Sequence, residues 1–306
     1  MLPSPTYCPV LRAAQPVVPE SPVSRFYPFL FVFLWSTGFI GAKYGLPHAG
    51  PLSFLLTRYG FVIALMAAVV LATRAPWPQQ PAQWLHIGVS GVLVHAIYLG
   101  GVFMAIKHGL PAGITALVVG MQPLLTALGS GWLLHEKVSA RQWGGLALGF
   151  VGVALVVAGK FGQAELGEML WPALVALFGI TAGTLYQKRY CARFDLRTGS
   201  LIQFVPTAVL TGIAVALFEG YQVEWTSDFM FALAWLVLVL SLGAISLLNL
   251  LIRSGSAVNV ASLFYLTPPT TALIAWAMFD EALTPAAMFG MALAVGGVYL
   301  VARPVK

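Results

Sequence analysis

The sequence predicts an all-α integral membrane protein, with ten transmembrane helices built as two inverted five-helix repeats. Three observations predict it. Of 306 residues, 59% are hydrophobic and only 8% charged, whereas a soluble domain carries about 25% charged residues. The apolar residues fall into ten runs, each near the roughly 20 residues that a helix needs to cross a bilayer. The chain also aligns with itself at an offset of 145 residues, which brings Glu136 onto Glu281.

The first 24 residues hold Pro3, Pro5, Pro9, Pro16, Pro19 and Pro22. That spacing forbids a helix and leaves no continuous apolar core for a signal peptide, so residues 1–24 are predicted to be a disordered tail. The apolar runs then predict helices over 27–46, 52–72, 84–105, 111–134, 141–160, 169–189, 198–218, 229–251, 257–279 and 285–302. The connections are short and hold turn formers and charges: RAPWPQQPAQ after the second run, KRYCARFDLRTG after the sixth, FEGYQVEWTSD after the seventh. None can house a soluble domain. Membrane strands are excluded, because these runs are about twice the length of such a strand and do not alternate.

Lys and Arg set the orientation. With the N-terminus cytoplasmic, twelve of them fall inside and four, Lys43, Arg58, Lys107 and Lys160, fall outside. This places both termini in the cytoplasm and requires an even number of spans. The same bias explains the net charge of +6, so nucleic acid is not an expected partner. Cys8 and Cys191 belong to no paired motif, and HE in LLHEK lacks the second His of a zinc site. No cofactor or metal is expected.

The repeat extends well beyond the two glutamates. At the same offset Pro123 falls on Pro268, Thr126-Ala127-Leu128 on Thr271-Ala272-Leu273, Gly145 on Gly290 and Gly152 on Gly297. Gly38 falls on Gly183 and Lys43 on Lys188. The domains are therefore residues 25–162 and 168–306, each a five-helix copy. Five is odd, so the second copy enters the membrane from the opposite side. Inverted repeats of this kind characterise secondary transporters that bind substrate near the midplane, between the halves.

The chain resembles the EamA-type family of the drug/metabolite transporter superfamily. The resemblance covers about residues 27–302. It rests on LWSTGFIGAKYGLP with Pro51 and LLTRY, on MQPLLTALGSGWLLHEKVSARQWGGLALGFVGV, and on YLTPPTTALIAWAMFDEALTPAAMFGMALAVGGVYLV. It implies ten helices in two repeats and transport of amino acids, other small metabolites or drugs, most often outward. The expected protein is thus a bacterial inner-membrane exporter of a small organic metabolite, not an enzyme. A passive channel is the alternative, and an intramembrane enzyme a more distant one, since no nucleophile–base or metal constellation lies at membrane depth.

Candidate substrate-binding residues are Trp35, Ser36, His95, Tyr98, Gln122, Tyr186, Asn249 and Tyr265. They are polar or aromatic residues in or near mid-span, on helices that the resemblance places around the cavity. His95, near the middle of the third run, is a candidate for carrying a coupling proton, because ionisable groups at that depth are usually functional. Pro123, Pro268 and Pro269 are expected to kink the fourth and ninth helices in corresponding places. Gly145, Gly149 and Gly152 share a helix face and predict close packing of the fifth helix on the tenth. Glu136 and Glu281 are expected to cap the helix that follows each of them. Lys43 and Arg58 are expected near the outer surface.

Overall fold

The computed structural model describes residues 26–110, 112–157, 170–191, 194–279 and 283–303. Residues 1–24, Lys160 and Glu281 lie outside the described residues, as does the side chain of Lys43. Among the described residues the chain is helical, with no strand and one isolated bridge, Ala49 to Val223. Its helices are α1 (Tyr27–Gly45), α2 (Pro51–Thr73), α3 (Pro81–Lys107), α4 (Thr115–Leu133), α5 (Ala140–Val157), α6 (Leu170–Tyr190), α7 (Leu196–Glu219), α8 (Ser227–Ser254), α9 (Ala257–Ile274) and α10 (Pro285–Ala302). Eight of these are long and apolar enough to cross a membrane. The protein is an integral membrane protein. Large apolar side chains such as Leu71, Phe178, Leu217 and Phe218 face outward, while much of its Ser, Thr, Gln and Asn is buried.

The helix starts follow local chemistry. Pro51, Pro81 and Pro285 occupy first helical positions, where a missing N–H costs nothing. Thr226, Ser256 and Thr284 accept from the backbone N–H of Phe229, Asn259 and Ala287.

Two kinds of irregularity occur at matching places in the copies. In α4 a turn at Gly120–Met121 precedes Pro123; in α9 a 3₁₀ stretch, Leu263–Leu266, precedes Pro268. A proline cannot bond the carbonyl four residues back and clashes with it, so the helix breaks just ahead of it. Both copies thus interrupt the α-helical pattern just ahead of the expected prolines. Less expected are three π-helical stretches, of which Val215–Glu219 at the end of α7 has no counterpart, while Val92–Leu99 in α3 and Leu236–Ala244 in α8 form a pair. That pair too coincides at the 145-residue offset.

The two copies meet through small residues in a reciprocal pattern. A Cβ on Gly152 would lie 2.5 Å from the Gly290 carbonyl, and one on Gly145 would lie 2.8 Å from the Gly297 carbonyl. Each of these contacts maps onto the other when the copies are exchanged, with α5 and α10 antiparallel. The same exchange relates Gly38, against Leu240 of α8, to Gly183, against Val94 of α3. In α5 and α10 the glycines admit a neighbouring backbone, and at Gly38 and Gly183 they admit side chains that set the π-helical stretches against the first helix of the opposite copy.

Candidate functional site

The interior between the copies is a column of aromatic and polar side chains running along α3. At one level Trp35 of α1 stacks on Tyr98 of α3, with ring centroids 6.2 Å apart and planes 13° from parallel. Phe264 of α9 meets Trp35 edge-on at 5.2 Å. These rings, with Gly120, Thr267 and Pro268, line a small cavity of about 20 Å³, room for a single water. The helix breaks thus border the cavity. Ser36, beside Trp35, bonds the carbonyls of Val32 (2.7 Å) and Thr267 (3.3 Å), tying α1 to the broken part of α9.

Next along α3 come His95 and, facing it from α2, Arg58. Both are buried, at 1% exposure each. His95 stacks on Phe204 of α7, with centroids 4.3 Å apart. Neither of its ring nitrogens has a hydrogen-bond partner of normal geometry, although the Gln203 side chain lies near. The Tyr59 hydroxyl donates to the His95 carbonyl at 2.7 Å. Arg58 Nε donates to Ser241 Oγ of α8 at 3.0 Å. Ser241 in turn donates to the Leu236 carbonyl five residues back, inside the π-helical stretch. That stretch aims a hydroxyl into the interior, as the matching one in α3 aims His95 and Tyr98. Arg58 does not lie near the outer surface, as expected from sequence. It is seven residues into α2, about 10 Å beyond its first residue at 1.5 Å per residue.

Beyond Phe204 lies a closed set of side-chain bonds. Gln187 Nε2 donates to Asn249 Oδ1 at 2.8 Å, and Gln203 Nε2 donates to Ser90 Oγ at 3.1 Å. Longer contacts join Gln203 to Gln187 (3.4 Å) and Asn249 to Gln203 (3.5 Å). Four helices, α3, α6, α7 and α8, meet here.

The sequence-predicted residues therefore separate into groups. Trp35, Ser36 and Tyr98 surround the cavity, His95 lies further along the same column, and Asn249 joins the amide set. Gln122 is buried on α4 and reaches Thr184 of α6 at 3.4 Å, with its carbonyl oxygen unpaired. Tyr265 packs its ring on Gly149 of α5, and its hydroxyl has no partner. Tyr186 stands apart: its hydroxyl meets His86 Nδ1 at 2.7 Å, near the end of α6, among His86 and Tyr190. Sequence reasoning passed over Gln187, Gln203 and Ser241, although polar side chains inside apolar runs were the signal that could have found them. A wider apolar groove between α3 and α7, lined by Trp77, Trp84, Val89 and Pro206, has exposed rims and suits lipid chains.

The ends of the helices are tied across the copies. Glu136, after α4, accepts from the Ala257 N–H at the start of α9 at 3.2 Å. It caps a helix of the other copy, not the α5 that follows it. Its half-burial raises its pKa, opposed by Lys188 and by the Ala257 N–H. Lys188 Nζ caps the end of α8 through the carbonyls of Ile252 (2.9 Å) and Gly255 (2.5 Å). At the opposite ends Glu219 accepts from the N–H groups of Leu52 (2.9 Å) and Ser53 (2.7 Å), holding the start of α2.

Two stretches of the chain, residues 25–158 and 168–303, each match the profile of the EamA-like transporter family. The chain belongs to that family. Among its EamA-like relatives is an uncharacterized transporter, YvbV, of Bacillus subtilis, 28% identical over 93% of this chain and 92% of that protein. A probable amino-acid metabolite efflux pump of Escherichia coli is 26% identical over 89% of this chain and 92% of its own length. A probable terminal-alkyne amino-acid exporter of Streptantibioticus cattleyicolor is 25% identical, covering 90% and 91%. A solved structure described as "Crystal structure of protein" superposes with a TM-score of 0.73 at 22% identity, covering 92% of this chain and 96% of that one. That likeness shows the fold. The family makes this EamA-like chain a membrane transporter.

Proposed function

We propose that the protein is a secondary transporter that exports a small organic metabolite, an amino acid or a related compound, by alternating access. It lies in the bacterial inner membrane as ten spans with both termini cytoplasmic, residues 25–162 and 168–306 forming the two inverted copies. The observation that carries the reading is the reciprocal packing of the copies, Gly145 on Gly297 and Gly152 on Gly290, around a column of buried polar groups. Such a two-fold arrangement with a midplane site is the architecture of alternating-access carriers. The cavity of about 20 Å³ between Trp35 and Tyr98 supports a carrier over a channel, because a channel needs a continuous wet path.

Substrate sits among Trp35, Ser36, Tyr98, Gln122 and Tyr265, with His95 beside it as the group that carries a coupling proton. Asn249 holds the amide set below, and Tyr186 lies at one mouth of the path. The relatives' names support an amino-acid-like cargo. Comparing metabolites in the medium of cells with and without the protein tests the reading. A defined set of small metabolites should accumulate outside only when the protein is present. An unchanged medium across growth conditions contradicts it.

A further inference from the structure

Among the described residues Arg58 has no counter-charge. Its guanidinium is 1% exposed, in the interior of a membrane protein, and its hydrogen bond runs from Nε to Ser241 Oγ. The described ion pairs lie elsewhere, His48 with Glu224 and Arg197 with Asp195. The five described acidic residues, Glu136, Asp195, Glu219, Glu224 and Asp228, all stand at helix ends or in connections. The groups on which its charge acts are Tyr59, His95 and Tyr98, and none of them is a carboxylic acid.

An isolated buried cation is costly, with an effective penalty of several kcal/mol even after relaxation. Within membranes such residues pair, or mark the path of a charged substrate. A purely structural arginine would be expected to spend its fork on carbonyls or a carboxylate. This one uses a single nitrogen on a hydroxyl, and that hydroxyl is presented by a π-helical turn. His95, on which its charge acts, is equally unfilled at both ring nitrogens, and the Thr267 hydroxyl is unpaired on the wall of the cavity that Tyr98 shares. A buried charge beside an unsatisfied ring indicates a ligand or water that fills both.

We infer that Arg58 is the anion anchor of the transport site, and that every substrate carries a carboxylate that docks on its guanidinium fork. The inference rests on the transporter reading and narrows its cargo. A single guanidinium neutralises a monoanion; a phosphate dianion would leave charge over. The planar fork matches a carboxylate through two parallel bonds, which an ammonium cannot make. Tyr98 lies within reach of the Arg58 charge and stacks on Trp35. The carboxylate end is thereby placed toward His95 and the rest of the molecule toward the Trp35 and Tyr98 rings. Those ring faces also suit the ammonium of an amino acid.

The test uses the full chain in proteoliposomes loaded with a polar small-molecule extract of bacterial cells, with released species identified by mass spectrometry. The wild type should release only molecules bearing a carboxylate. Arg58→Gln should release them at least tenfold more slowly, and Arg58→Lys should recover part of the rate while its KM stays above the wild-type value. Release of molecules without any acid group, or equal release by a folded Arg58→Gln, overturns the anchor and leaves the transporter reading standing. No release by the wild type overturns the transporter reading itself. Should Arg58→Gln fail to fold, Ser241→Ala frees the fork's only described partner; it should shift KM for the released acids by several fold, and an unchanged KM contradicts the assignment.

Discussion

His95 and Glu136 show how one residue's surroundings set what it can do. His95 is sealed between Phe204 and the Arg58 side of the column with both nitrogens open. Imidazole ordinarily titrates between about pH 5 and 8. With His95 as the coupling group, His95→Gln should flatten the pH dependence of transport over that range. A changed affinity with the pH profile intact would assign it to substrate contact alone. Glu136 sits at the edge, where partial burial raises its pKa above 4.5. The folded chain holds this proton more tightly than the unfolded chain does. Stability from this group therefore falls as pH rises from about 4.5 through the raised value. Glu136→Gln keeps an acceptor for the Ala257 N–H and should flatten that slope in thermal melting. Glu136→Ala also loses the cap and should cost about 1 kcal/mol; melting curves equal to wild type would contradict both. Arg58 was misread from sequence for a reason of the same scale. Apolar windows tolerate one cation, and nothing in LLTRY states whether that side chain reaches the surface or turns inward.

Between helices, contact is governed by what a missing Cβ allows. Gly152→Ala would place a methyl 2.5 Å from the Gly290 carbonyl, inside a backbone-on-backbone contact that has no side chain to give way. Overpacking of this kind costs about 1–3 kcal/mol. At Gly144, one residue before Gly145, a methyl would meet nothing within 4 Å. Detergent melting should show Gly152→Ala destabilised and Gly144→Ala unchanged or slightly stabilised. Equal melting of the two would remove the packing account. The Gly145/Gly149/Gly152 face was legible in sequence because small residues at helical spacing have one common use in membranes. The helix breaks were legible because proline removes a hydrogen bond wherever it stands. The paired π-helical stretches were not, since VLVHAIYL and LVLVLSLGA hold no proline, and the single glycine in the second, Gly243, has no counterpart in the first. The partners of the predicted polar residues stayed hidden for a related reason. A sequence gives the face of each helix, but not which neighbour that face meets. Tyr186 shares α6 with Gln187, yet only Gln187 enters the amide set.

At the scale of the molecule, the proposed topology follows from the copies themselves. A reporter after Lys306 should be cytoplasmic. One inserted between Tyr221 and Thr226 should be outside, in the connection bound to the α1–α2 turn through Gly50 and Gln222 (3.0 Å). Either site on the opposite side would contradict the ten-span arrangement. The central claim is alternation between two closures of one site, the helix ends being held by Glu219 at one side and by Glu136 and Lys188 at the other. Counterflow in proteoliposomes tests it most directly. Vesicles loaded with an unlabelled exported metabolite should take up the labelled form transiently above equilibrium, with a saturable rate. Linear, unsaturable uptake that never overshoots would show a channel and contradict the account.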